Sequence, residues 1–246
     1  MGNARGIRKS RPTGWDRIEW LDAAEKKHAI RADTPAAALE VAPGSRTRNP
    51  GKWVGQATYQ GHYWCAGAGH LVFHESMAEY ASIMLIDHLY DIVKVAAQPM
   101  LMTFANGRFA YPDYFVEEAD GRRHLVDIHP KFITKPGDAE RFALTAELCE
   151  KLGWRYTFID QLSDVVRLNV ELIGRYRHPR YAPDQELRRH IRAAARRAPE
   201  MGPLRHALAT DKSGELMPAL YHLMWRREVL FDLTVPVTDR TLVRVA

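Results

Sequence analysis

The sequence predicts a mixed α/β protein, in which a mixed β-sheet is flanked by helices and a mainly helical C-terminal part follows. Two strand-like arms surround the turn sequence Ala119-Asp120-Gly121, and a stretch with helical periodicity lies on each side of this hairpin. From residue 161 the composition changes to helices rich in arginine. We therefore divide the chain into residues 1–52, 53–160 and 161–246.

Composition indicates a soluble globular protein. The 246 residues are 46% hydrophobic and 26% charged, and they contain neither an apolar run of membrane-spanning length nor a signal-peptide core. Cys65 and Cys149 stand in unrelated stretches and give neither a disulfide framework nor a zinc spacing, so we expect a cytoplasmic protein with no membrane contact. The net charge of +5 is compatible with a polyanionic partner.

Residues 1–52 are predicted to form a basic arm with a small peripheral hairpin. RIEWLDA and KKHAIRA are the two strand candidates, and Thr34-Pro35 is typical of a helix start. Basic residues open this segment and recur at its end: Arg5, Arg8, Lys9, Arg11, Arg46, Arg48 and Lys52. The alternative is a flexible tail whose charges are solvated.

The next stretch places Glu79 near the start of a helix. ATYQGHYWC and HLVFH predict a second hairpin, and the apolar repeat over 76–87 predicts a helix directly after it. The helix dipole alone also favours an acid there, which is the simpler interpretation of Glu75 and Glu79. We expect the nearby histidines to pack or to cap rather than to bind a metal. These are His62, His70 and His74.

After this helix, IVKVAAQPMLMTF predicts one apolar strand that Pro99 interrupts with a bulge or an edge. Gln98 lies next to this break. Its side chain either forms a hydrogen bond to a residue of the site, as the resemblance described below implies, or forms hydrogen bonds with the backbone at the end of the strand.

The hairpin over 109–131 carries two carboxylates whose placement depends on the register. A two-residue loop would send Asp113 and Asp127 to opposite faces of the hairpin. A three-residue loop with Gly121 left-handed sets them opposite each other, with His129 on the same face. Two carboxylates side by side repel each other unless a cation lies between them. The alternative is a surface hairpin whose polar positions face water.

A packing helix and a strand follow, and then the arginine-rich part begins. AERFALTAELCEKLGW predicts a helix ending at Gly153, and WRYTFID predicts a strand. Beyond 161 we predict four helices, the second beginning after Asp184, and a final β-ribbon. Three helices and a ribbon are in winged-helix order, which binds DNA or protein equally well. Five arginines form either a solvated face or a surface for phosphate or a partner: Arg188, Arg189, Arg192, Arg196 and Arg197.

Together these stretches resemble the TnsA endonuclease subunit of heteromeric transposases, within the PD-(D/E)xK nucleases. The resemblance covers roughly residues 53 to 160 and rests on Ser-x-x-Glu in the helix, Pro-Asp-Tyr-Phe-Val and Val-Asp-Ile-His-Pro. It implies a restriction-endonuclease-like core. It places Glu79, Asp113 and Asp127 at the family's carboxylates and His129 at its lysine. Lys131 is the alternative lysine, two residues further on.

The resemblance also implies a function. Glu79, Asp113 and Asp127, with the carbonyl of Ile128, would bind Mg²⁺ or Mn²⁺, which prefer hard oxygen ligands. The expected activity is hydrolysis of phosphodiester bonds at the ends of a mobile element. The expected partners are double-stranded DNA, an integrase-type transposase subunit and an AAA+ ATPase. Two alternatives stay open: a stand-alone restriction or repair nuclease, and a nuclease-fold subunit whose activity is impaired because His129 replaces lysine.

Overall fold

The computed structural model describes residues 12–48, 59–129, 137–209 and 214–246. The chain has a mixed α/β fold in two units. Unit 1 lies within residues 1–80 and 91–161, and unit 2 within residues 81–90 and 162–246. Several basic residues that the sequence singles out lie outside the described residues: Arg5, Arg8, Lys9, Arg11, Lys52 and Lys131.

Unit 1 contains most of the strands. They are β1 (Arg17–Leu21), β2 (Lys27–Arg31), β3 (Gly61–Cys65), β4 (His70–His74), β5 (Ile92–Ala97), β6 (Met100–Thr103), β7 (Phe109–Ala110), β8 (Tyr114–Glu118), β9 (Arg123–Ile128) and β10 (Arg155–Ile159). Its helices are α1 (Pro35–Ala38), the first turn of α2 (Met77–Leu89), and α3 (Asp138–Leu152).

Two four-stranded sheets organise unit 1, beside the β3–β4 hairpin. The first has the order β2-β1-β6-β7 and is antiparallel throughout. The second has the order β10-β9-β8-β5, in which only the β9–β10 pair is parallel. Helix α3 makes the crossover that a parallel pair requires, and it ends at a left-handed Gly153 with φ 70°, as predicted.

The N-terminal hairpin forms as predicted, but it is part of the core of unit 1 and not a peripheral extension. Strand β1 pairs with β6 along its length. Ile18 and Trp20 are buried in the same apolar cluster as Phe115 and Leu148. The reason is the alternation along β1, which gives that strand one apolar face to bury against the rest of the unit.

The chain leaves one sheet for the other at Gln98-Pro99, so the predicted single strand is wrong. Strand β5 belongs to the second sheet and β6 to the first. Gln98 lies between them with a left-handed φ of 48°, and Pro99 has no N–H to continue a ladder. The break is therefore a change of sheet and not a bulge.

Of the two registers that the sequence allows for the β8–β9 hairpin, the structure has the one with the three-residue loop. Tyr114 pairs with Val126 and Phe115 with Leu125, and Gly121 adopts a left-handed φ of 82°. One further step along this register sets Asp113 opposite Asp127. The three-residue loop thus decides where the two carboxylates meet.

We expect Gly121→Ala to lower the free energy of unfolding by about 1 kcal/mol, because an alanine disfavours the left-handed conformation. No atom lies within 4 Å of a Cβ built at this position, so the loss would come from the backbone and not from a clash. Asparagine tolerates the same conformation, and Gly121→Asn should lose clearly less. Chemical denaturation of the two variants measures both effects, and equal losses would contradict the backbone explanation.

Unit 2 contains the predicted helices and ribbon. Its further elements are α4 (Asp164–Gly174), a 3₁₀ helix (Pro179–Tyr181), α5 (Gln185–Arg197), α6 (Met201–Leu208), α7 (Leu216–Trp225), β11 (Val229–Leu230) and β12 (Arg244–Val245). Asp184 caps α5 by accepting from the N–H of Leu187 at 2.8 Å, as predicted. Strands β11 and β12 pair antiparallel, and Glu200 bridges to Leu242.

Residues 81–90, which include most of α2, also belong to unit 2, and the predicted division at residue 160 does not anticipate this. His88 in this part of the helix is buried, and its Nδ1 lies 2.9 Å from the carbonyl oxygen of Trp225. Within the part of the chain that the structure describes, no helix has the length and apolar character needed to span a membrane.

Candidate functional site

Asp113 directly precedes β8, at the end of the β8–β9 hairpin that lies away from its loop. The backbone N–H of Ile128 donates to Asp113 Oδ2 at 2.7 Å, and the N–H of Asp113 donates to the carbonyl of Val126 at 3.2 Å. Burial raises the pKa of Asp113 well above its ordinary value, and the charges of Asp127 and then Glu79 raise it further. The carboxyl of Asp113 therefore lies within the electrostatic reach of both other predicted ligands.

Asp127 is the buried partner across the hairpin, with 6% of its surface exposed. The hydroxyl of Tyr156, on the parallel neighbour β10, donates to Asp127 Oδ2 at 2.7 Å. Burial raises the pKa of Asp127 to about 6, while the Tyr156 hydrogen bond and the charge of Arg141 act in the opposite direction. Tyr156 thus stabilises the ionised form of Asp127, whereas burial disfavours that form.

Glu79 lies in the first turn of α2 and takes part in a capping box at the start of that helix. Ser76 Oγ accepts from the N–H of Glu79 at 3.2 Å, and Glu79 Oε2 accepts from the N–H of Glu75 at 2.7 Å. Burial raises the pKa of Glu79 to about 7, and the neighbouring Glu75 charge contributes in the same direction. Capping accounts for the local position of Glu79, and its charge also raises the pKa of Asp113.

Glu75 extends this cluster, although the resemblance assigns it no role. Nη2 of Arg48 lies 3.0 Å from Glu75 Oε1 and 3.1 Å from Oε2, and the side-chain amide of Gln98 donates to Oε1. The backbone N–H of Gln98 donates to the carbonyl of Asp113 at 2.7 Å. Gln98, which is 3% exposed, therefore links Glu75 to Asp113.

His129 pairs with a residue of α3. Its Nε2 lies 3.1 Å from Asp138 Oδ2, and its ring is 5.2 Å from that of Phe142. Asp138 is buried and also lies 3.4 Å from the guanidinium of Arg141. His129 thus has a carboxylate neighbour that the sequence did not indicate.

A hard divalent cation needs several oxygen ligands around one point. Glu79, Asp113 and Asp127 supply oxygen donors of the right chemistry in one electrostatic environment. Over residues 12–48, 59–129, 137–209 and 214–246, however, no three His, Cys, Asp or Glu side chains are close enough to enclose an ion as they stand. The residues fit such a cation by the chemistry of their donor atoms.

The three upstream histidines have packing and backbone contacts. Nε2 of His70 lies 3.2 Å from the carbonyl of Val95, and Nδ1 of His74 lies 3.1 Å from the carbonyl of Ser76. The ring of His62 packs against Phe73.

No protein-family model matches the chain, and no curated protein matches it.

Tyr156, Asp138 and Glu75 were not identified from the sequence as parts of the site. The spacing Ser76-x-x-Glu79 contains the signal for the capping box and hence for the position of Glu75. No comparable local signal exists for Tyr156 or Asp138, because both reach the hairpin only through the crossover of α3.

Proposed function

We propose that the chain is a Mg²⁺- or Mn²⁺-dependent DNA endonuclease that acts as a TnsA-like subunit of a heteromeric transposase, hydrolysing phosphodiester bonds at transposon ends. The observation that carries this proposal is the cluster of Asp113, Asp127 and Glu79, in which burial and like charge disfavour ionisation. A divalent cation between the carboxylates relieves such repulsion, and a metal-dependent nuclease needs a cation at the bond that it cuts.

The order of elements around the cluster supports the same proposal. Helix α2 is followed by β5, the β8–β9 hairpin, α3 and a parallel β10. This is the order expected for a restriction-endonuclease-like core, in which the strand carboxylates and the helix carboxylate face one edge.

Asp113 and Asp127, with Glu79 and the carbonyl of Ile128, would hold the cation, which would supply charge neutralisation at the phosphate and a more acidic water. The chain itself orients these ligands. The N–H of Ile128 fixes Asp113 and the hydroxyl of Tyr156 fixes Asp127. His129 lies two residues beyond Asp127 as a candidate base, and its Nε2 is 3.1 Å from Asp138 Oδ2.

Unit 2 supports a partner-binding role in the proposed complex. The order of α5, the Glu200 bridge, α6, α7, β11 and β12 supports a winged-helix-like domain. All residues of α7 except Met217 and Pro218 are buried, which leaves that helix little surface for a DNA groove. Helix α5 instead presents three exposed arginines, which are Arg189, Arg196 and Arg197. Arg188 and Arg192 of the same helix pair with Glu228.

Nicking of supercoiled DNA tests the proposed activity. We expect the full chain to nick in Mn²⁺ and to stop in EDTA, with higher activity when an integrase-type transposase and an AAA+ ATPase are present. Full activity without partners would favour a stand-alone nuclease. Absence of nicking under every one of these conditions would contradict the proposed activity.

We expect Tyr156→Phe to weaken Mn²⁺ binding about tenfold near neutral pH, because residues that orient a metal ligand typically affect affinity on this scale. The hydroxyl that stabilises ionised Asp127 would be lost, while the ring would stay in place. Calorimetric titration with Mn²⁺ measures the change. Tyr114→Phe is a matched control, since the hydroxyl of Tyr114 donates to the carbonyl of Phe73. Equal affinities for wild type and Tyr156→Phe would exclude this role.

One observation favours a second candidate, a subunit with impaired catalysis. The carboxylate of Asp138 lies 3.1 Å from Nε2 of His129, so the residue at the lysine position faces a negative charge. Such a subunit would still bind Mn²⁺ and DNA but would not nick, which separates it from the active enzyme.

A further inference from the structure

Arg48 brings a permanent positive charge to the carboxylate cluster. Its guanidinium binds both oxygens of Glu75 and lies 5.8 Å from the ring centre of Tyr111. The charge of Arg48 lowers the pKa of both Asp113 and Glu79, against the larger effect of burial. A group that reaches two of the three proposed ligands in this way lies close to where the substrate would be cut.

The charge balance of the cluster calls for such a cation. Glu75, Glu79, Asp113 and Asp127 are four acids, and a DNA phosphate adds a further negative charge. His129 already lies 3.1 Å from the carboxylate of Asp138. Arg141 is also close to Asp138, at 3.4 Å. Among the described residues, Arg48 is the cation whose charge reaches both Asp113 and Glu79.

The chemistry of the guanidinium fits a phosphate. Its planar fork matches two oxygens of a phosphodiester as well as those of a carboxylate. Nη2 makes both bonds to Glu75, and Nε is shielded from solvent with no acceptor within the described ranges. A buried donor without a partner is unfavourable until an acceptor arrives. The side chain of Arg48 is 34% exposed, so an incoming oxygen can reach the guanidinium.

We propose that Arg48 contacts the DNA phosphate at the cleavage site and provides a positive charge there. In the free protein Glu75 neutralises Arg48. In the complex a phosphate oxygen shares or replaces Glu75 as its acceptor. This inference rests on the proposed nuclease function, and it assigns to the N-terminal segment a direct part in binding the substrate.

The test measures binding of a duplex DNA in Ca²⁺ over a range of salt concentrations, for full-length wild type, Arg48→Gln and Arg48→Lys. Arg46→Gln is the matched control, because Arg46 lies in the same segment but packs over the Phe73 ring at 4.1 Å. We expect Arg48→Gln to reduce the slope of log affinity against log salt by about 1 and the affinity by about tenfold. Arg48→Lys should keep the slope, since it keeps the charge, and lose part of the affinity.

Calorimetry with Mn²⁺ alone separates this contact from a structural role. Arg48→Gln should bind Mn²⁺ at least as tightly as wild type, because it removes a positive charge next to the ligands. An unchanged salt slope in Arg48→Gln would overturn the inference, as would a slope change equal to that of Arg46→Gln or a joint loss of Mn²⁺ and DNA binding. Failure of the wild type itself to bind Mn²⁺ would instead remove the proposed function, and this inference with it.

Discussion

Asp113→Asn should reduce Mn²⁺-dependent nicking by about a thousandfold or more, since it removes a carboxylate from the proposed cation site while keeping the side chain's size. The substituted side chain would retain an oxygen for the N–H of Ile128, so the fold of the hairpin should survive. Initial rates of plasmid nicking at saturating Mn²⁺ measure the effect. Asp120→Asn on the same hairpin is the control, because Asp120 lies in the exposed loop and should leave the rate unchanged.

The same variant should be more stable than wild type when no metal is present. Burial and the charges of Asp127 and Glu79 disfavour the ionised form of Asp113 in the folded protein. Replacing this acid by a neutral amide should therefore raise the free energy of unfolding near pH 8 by about 2 kcal/mol, the scale on which an unfavourable buried charge affects stability. Urea unfolding in EDTA measures this gain. A variant that nicks like wild type, or that is less stable in EDTA, would argue against a cation site at Asp113.

The hairpin was predictable because its information is local. The sequence Ala119-Asp120-Gly121 limits the loop to two or three residues, and with the three-residue loop strand alternation alone sets Asp113 against Asp127. Helix ends were predictable for the same reason. Gly153 and Asp184 act through the backbone of their own helix.

The rest of the site depends on contacts between distant segments. Tyr156 reaches Asp127 only because α3 brings β10 beside β9. The alternation of residues within each strand does not predict which residue of β10 will lie next to a given residue of β9. Arg48 contacts Glu75 from the segment that was predicted to be a basic arm, and the composition of that segment does not indicate which acid Arg48 will contact. The change of sheet at Gln98-Pro99 was missed because a proline break in an apolar run does not reveal that two sheets are present.

Mn²⁺ should stabilise the protein far more near pH 8 than near pH 5, because protons and the cation compete for the same carboxylates. Burial raises the pKa of Asp127 to about 6 and that of Glu79 to about 7, from ordinary values of 3.8 and 4.5. A carboxyl group whose folded pKa is raised contributes stability that is complete below its ordinary pKa and is lost as the pH rises through its folded pKa. The metal-free protein should therefore lose this contribution between about pH 4 and pH 7.

The cation reverses that loss, since it binds the ionised carboxylates. Thermal unfolding in EDTA and in Mn²⁺, at several pH values across this range, gives the metal-dependent shift of the midpoint directly. Histidines and other groups titrate in both solutions, so the difference between the two isolates the carboxylate cluster. In Asp113→Asn the shift should be small at every pH. A shift in wild type that is the same near pH 5 and near pH 8 would mean that the cation binds away from Asp127 and Glu79.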